Sequence, residues 1–156
     1  MSAADLTTWT VEHFEELSWH DCPVHGLAIE SAAYGTGELV LDLDFIVAWL
    51  SPVDNNLRFK VAPATLTFHR MHDLHITLDY VSSGAGIVPF SLGCIERRPH
   101  TYPNGVSSFA WRLLVDWPAG EISFIGPGFT QRLRGPVVEV VGEPCLPASQ
   151  RSPSSA

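Results

Sequence analysis

Basic side chains are scarce in this sequence. Lys60 is the sole lysine, and with arginine the cations number nine against 17 acidic residues, for a formal net charge of −8. Nucleic-acid binding needs clustered cations to displace counterions, so that class of partner is set aside. Cysteine is also sparse. Cys22, Cys94 and Cys145 are odd in number and far apart, and they form no CxxC pair and no zinc spacing. They read as reduced thiols of a cytosolic chain, packing as small hydrophobes. Residues 1–8 carry neither a basic n-region nor an apolar h-region, and no apolar run reaches membrane-spanning length. A cytoplasmic protein that does not engage a membrane is the expectation. There is no GxSxG elbow, no Walker A loop, no GxGxxG and no HExxH. No set of catalytic residues is recognisable, the chain leans away from enzymes, and no cofactor is expected.

What is abundant is apolar and aromatic material. The chain has 156 residues, 46% of them hydrophobic, with five Trp and eight Phe, enough to build one core without disulfide or metal support. Gly and Pro, twelve each, are spread along the chain, which suits many short strands and turns. A short helix is predicted from Val11 to Leu17, with Thr10 as N-cap and Val11, Phe14 and Leu17 on one face. Strands follow. The clearest alternation puts Leu39, Leu41, Leu43, Phe45, Val47 and Trp49 on one face, with Asp42 and Asp44 on the other. The Tyr34-Gly35-Thr36-Gly37 turn before it makes a hairpin. Residues 57–68 form a further strand whose Pro63 cannot donate to a ladder and so belongs at an edge or bulge. Residues 71–73 read as a turn into the strand of Leu74, Ile76 and Leu78. Phe109, Trp111, Leu113, Val115 and Trp117 mark a later inward face. The sum is a mainly β fold, an antiparallel sandwich or partly open barrel of about eight strands with one short N-terminal helix. Residues 1–8 are expected to be a flexible start, 9–146 a single β domain, and 147–156 a Pro/Ser-rich disordered tail.

Several groupings could carry chemistry. His20-Asp21 followed by His25 supplies two imidazoles and a carboxylate, a plausible transition-metal set; alternatively Asp21 caps a turn and the histidines are incidental. His69, His72 and His75 recur every three residues, but in a strand–turn–strand context they read as surface histidines at a hairpin end. Asp42 and Asp44 share a face, as do His75 and Asp79. If those strands are neighbours, three carboxylates and an imidazole crowd one surface, fit for acid–base work, for a hard cation, or simply for solvent. Arg132 and Arg134 share a parity with Thr130 and either grip an anion or protect an edge strand.

The run Ser18-Trp19-His20-Asp21-Cys22-Pro23-Val24 ahead of a strand, followed by Leu66-Thr67-Phe68 and Asp73-Leu74-His75-Ile76, resembles small bacterial all-β proteins with an aromatic-His-Asp start. Among these is the immunity-protein family numbered fifty, associated with polymorphic toxins. The resemblance spans residues 14–130. It implies a non-enzymatic protein that binds and blocks one toxin, a basic protein by the charge argument. In that reading His20, Asp21, His25, Asp42, Asp44, His75 and Asp79 are the candidate binding residues. A metal-binding domain or metal-dependent enzyme built on His20, Asp21 and His25, and a barrel holding a small apolar ligand, are the alternatives.

Overall fold

The computed structural model describes residues 6–84 and 86–151. Nine strands make one antiparallel sheet: β1 (Thr8–Thr10), β2 (Pro23–Ser31), β3 (Gly37–Val53), β4 (Asn56–Leu78), β5 (Phe90–Thr101), β6 (Ser107–Trp117), β7 (Gly120–Gly126), β8 (Gly128–Leu133) and β9 (Val138–Val141). The order is β1-β8-β4-β3-β2-β5-β6-β7. A further β4–β7 ladder curls the sheet into a ring, and β9 is added beside β4. Of the two expected architectures, the chain takes the partly open barrel. No helix among the described residues is long and apolar enough to cross a membrane.

The ring depends on β4. The sequence suggests two strands joined by a turn at 71–73, but the chain continues without reversing as one long strand. Its partner changes instead: Ala64–His69 pair with β8, and His72–Leu78 pair with β7. Between the two ladders β4 carries an extra residue relative to β3 and another relative to β7. Arg70 and Asp73 sit there at φ 47° and 54°. Such bulges bend a strand and sharpen its twist, so a stretch rich in turn-forming residues becomes a corner rather than a reversal. At the end of this arm Leu78 opposes Gly120, where a Cβ would lie 2.1 Å from the Thr77 carbonyl oxygen. Only glycine allows β7 to approach that closely.

Pro63 corrects the edge-strand expectation. It lies within a strand paired on both sides, opposite Asp44 of β3. On the other side it falls between the β9 ladder (Arg58–Val61) and the β8 ladder (from Ala64). Its carbonyl accepts from the Arg134 N–H at 2.7 Å, so the missing proline N–H points into the break between two partners. The ladder loses nothing there.

Burial follows the alternation for Leu39, Leu41, Leu43 and Phe45, and then departs from it. Val47 is the extra residue between Ile46↔Val61 and Ala48↔Lys60. That bulge resets the period, so Ile46 is buried, Val47 only partly, and Trp49 is 48% exposed. The interior of the ring is filled by side chains. Phe68 packs edge-on against Trp111, Phe124 and Phe129. The predicted helix is a 3-10 helix over Val11–Glu16, with Thr10 at its N-cap and Phe14 packed edge-on to Trp111. Arg97 closes that end, its guanidinium 4.4 Å from the Phe14 ring centre and 4.5 Å from that of Phe109. Buried indoles find acceptors: Trp19 Nε1 donates to Gln131 Oε1 at 2.7 Å and Trp111 Nε1 to the Gly126 carbonyl at 2.9 Å.

The predicted flexible ends lie partly outside the described residues. Within them, Leu6 packs on the core and Thr7 accepts from the Leu133 N–H at 2.9 Å. Of the segment expected to be a disordered tail, 147–156, residues 152–156 lie outside the described residues; the described part contains a one-turn helix, α2 (Ala148–Arg151), whose Arg151 is buried. An ion pair, rather than apolar packing, holds it, and composition alone conceals that.

Emptying the Leu43 site tests this core. Leu43→Ala should lower unfolding free energy by about 2–5 kcal/mol in a urea titration. Trp49→Ala, on the outward side of the bulge, should cost far less despite its larger side chain. Equal losses would show that the Val47 bulge is misplaced.

Candidate functional site

The sequence groups His20, Asp21 and His25, and the fold separates them. His20 stacks on Trp49 with ring centres 6.0 Å apart, and its Nδ1–H donates to the Gly93 carbonyl at 3.1 Å. Its Nε2 lies 3.5 Å from Asp21, and both side chains are largely exposed. Asp21 holds a left-handed backbone at φ 64°, and its N–H donates to the Leu92 carbonyl at 2.8 Å. Asp116 is near enough to join this pair as a third polar group. His25 goes elsewhere. It is the unpaired residue between Val24↔Leu43 and Gly26↔Asp42, and this β2 bulge turns its ring onto the face of Asp44.

The expected four-residue surface of Asp42, Asp44, His75 and Asp79 does not form. His75 lies on the far arm of β4, opposite Ser123. Asp79 caps the one-turn helix α1 (Tyr80–Ser83), accepting from the Val81 and Ser82 N–H groups at 2.9 and 3.0 Å. A hydrogen bond from the Ser82 side chain, and then these backbone ones, hold its carboxyl below the usual range. His69 and His72 are likewise engaged, with Glu38 and Thr130 for the first and Tyr102 for the second.

Asp42 and Asp44 are close neighbours, but not as a free acidic face. The chain after β9 crosses over them. Arg151 bonds both carboxylates, Arg134 bonds Asp42, and the Leu146 N–H donates to Asp44 Oδ2 at 2.8 Å. Asp44 is completely buried. A buried carboxylate without partners is strongly unfavourable, and here two guanidinium groups neutralise two carboxylates. His25 Nε2 sits 2.7 Å from Asp44 Oδ2. Burial first, and then the Arg151 charge, push the imidazole below its ordinary pKa. The contact is therefore a neutral N–H donating to a carboxylate. Periodicity located Asp42 and Asp44; it could not show that Arg134 and Arg151, distant in sequence, would cover them.

Cys145 completes the cluster, its Sγ 3.9 Å from the same His25 nitrogen. A nucleophilic dyad needs a basic nitrogen facing the thiol, with the carboxylate on the other ring nitrogen. Here one nitrogen faces both groups. Burial and the neighbouring Glu143 also push the Cys145 thiol up. The arrangement does not generate a thiolate by proton transfer to His25. Cys22, wholly buried, is pushed up to about 12 by desolvation.

The open part of the ring lies on another side. β2 and β5 pair only at Pro23↔Ser91 and Val24↔Phe90. Beyond that point Gly26–Ser31 pair with β3 alone among the described residues, and Ala28 to Ser31 are exposed. Across from them runs the His72–Leu78 arm of β4, paired with β7 alone. Space between the two is found at both ends. One hollow of about 360 Å³ is lined by Val24–Gly26, Leu78, Tyr80 and 87–90. Another, of about 430 Å³, is lined by Ile29–Ser31, the Gly35–Gly37 turn and 71–74. Ile29 is 57% exposed and Ile87 89%. No family model, curated protein or solved structure matches the chain.

Replacing Arg151 tests the buried pair. Arg151→Ala should cost about 3 kcal/mol, the low end for stranding a buried charge, because Leu146 and His25 still donate to Asp44. Asp44→Asn added to that variant should recover part of the loss in the same urea titration. Additive losses would mean that the two side chains do not act as a pair.

Proposed function

We propose that this protein is a non-enzymatic binding domain that takes an extended, basic segment of a protein partner along the free edge of β2. One observation carries the reading. Two strand edges, Gly26–Ser31 and His72–Leu78, border the same two hollows, with no strand between them among the described residues. An edge offers alternate N–H and C=O groups, and an added strand gains main-chain hydrogen bonds while its side chains select the partner.

Charge supports the sign of that partner. Neither residues 26–38 nor residues 71–90 contain a single Lys or Arg, while Glu30, Glu38, Asp73 and Asp79 lie in these segments. Exposed Ile29 and Ile76, with the partly buried Leu74 and Leu78, supply apolar contacts. A segment alternating basic and apolar residues fits both. Asp42 and Asp44, named from the sequence as candidate binding residues, take no part in that attraction, because Arg134 and Arg151 occupy them. A toxin of basic character, the partner class that the sequence resemblance implies, meets the same requirement.

A displayed library of random peptides tests this directly. Selection on the purified protein should enrich extended sequences alternating Lys or Arg with aliphatic residues. Ile29→Lys should abolish capture of the enriched clones without altering the thermal melt. Glu30→Lys with Asp73→Lys should slow association and weaken its salt dependence. Enrichment of acidic sequences, or capture indifferent to Ile29→Lys, would contradict the proposal.

A further inference from the structure

We propose that His25, Asp44 and Cys145 bind a single borderline-soft divalent cation of the zinc class, on the face opposite the barrel interior. This site is independent of the β2 edge. The donor atoms of the three side chains lie within 4.8 Å of one another. His25 Nε2 is 2.7 Å from Asp44 Oδ2 and 3.9 Å from Cys145 Sγ. Around a tetrahedral zinc the nitrogen–oxygen and nitrogen–sulfur separations would be about 3.4 and 3.6 Å, from bond lengths near 2.1 Å to N or O and 2.3 Å to S. Opening the first contact by about 0.7 Å and closing the second by about 0.3 Å would therefore admit the ion. One imidazole, one carboxylate and one sulfur select zinc-like metals over magnesium or calcium. Three protein ligands leave the fourth position to water, on the exposed side of Cys145.

The surroundings are those of a held ligand set. Asp44 is bonded by Arg151 and by the Leu146 N–H, which fix its carboxylate. That same Leu146 contact positions the adjacent Cys145. The charges also balance. Asp42 and Asp44 are offset by Arg134 and Arg151. A dication with the Cys145 thiolate then adds one positive charge beside Glu143, whose charge already acts on the Cys145 thiol. On binding, the thiol proton leaves to solvent and the imidazole proton moves from Nε2 to Nδ1, leaving Nε2 free to ligate.

Cobalt(II) reports on sulfur ligation where zinc is silent. Reduced, untagged full-length protein, stripped with chelator, should develop a thiolate-to-cobalt charge-transfer band that saturates at one equivalent and is lost on adding zinc. Cys145→Ser, at an exposed position, should abolish the band with unchanged circular dichroism. His25→Ala should weaken cobalt binding at least tenfold, and His20→Ala should leave it unaltered. A missing band, one that survives Cys145→Ser, or weak sulfur-free cobalt absorption lost in His20→Ala would each overturn the proposal; the last would move the ion to His20, Asp21 and Asp116.

Discussion

The change of partner along β4 is the constraint on which the rest of the structure depends. One strand serves β3, β8, β9 and β7, and it can do so only because two bulges between Phe68 and His75 turn its second arm away from β3. That turn brings β7 round to close the ring. It also leaves β2, among the described residues, with a strand neighbour on one side only beyond Val24. The barrel and its opening therefore have the same cause. A sheet of this size would otherwise twist into a splayed surface; here the twist is concentrated at a corner and the aromatic cluster of Phe14, Phe68, Trp111 and Phe129 fills the enclosed space.

A free edge is a hazard as well as an opportunity, since unpaired N–H and C=O groups recruit other strands. The charge pattern limits which strands. With no cation in either bordering segment, a second copy of this acidic chain meets repulsion, whereas a basic segment meets attraction. The opposite face of the molecule obeys a different logic. There Arg134, between β8 and β9, and Arg151, beyond β9, neutralise Asp42 and Asp44, and the result is a structural ion-pair cluster with His25 and Cys145 at its margin. The two regions share β2: its bulge at His25 serves the cluster, and its unpaired length beyond Gly26 serves the cleft.

Much of the fold was legible in the sequence. Alternation named the buried face of Leu39 to Phe45, Thr10 was read as the cap of the short helix, and turn residues gave the β-rich class. Three features were not legible, each for a physical reason. Local patterning cannot distinguish a corner from a reversal, so the bulged stretch at Arg70–Asp73 read as a hairpin turn. Proline within a strand indicates only a missing donor, and whether a partner needs that donor at Pro63 is decided by β8 and β9, which come far later in the chain. A Pro/Ser-rich end looks disordered by composition, yet within its described part Arg151 is bonded to both Asp42 and Asp44. Of the candidate site, Asp42, Asp44 and His25 were named, but their association with Cys145, Arg134 and Arg151 is wholly tertiary. The cleft was invisible for the same reason, because an edge is defined by the strand that is not there.

Amide hydrogen exchange on the free protein tests the central claim most directly. If β2 is open beyond Val24, the amides of Gly26–Ser31 that point away from β3 should exchange near the rate of unstructured chain, while the intervening amides bonded to β3 should be strongly protected. An alternating pattern is the predicted result. Uniform strong protection along Gly26–Ser31 would mean that the edge is already covered, and would contradict the account of an open, strand-accepting barrel.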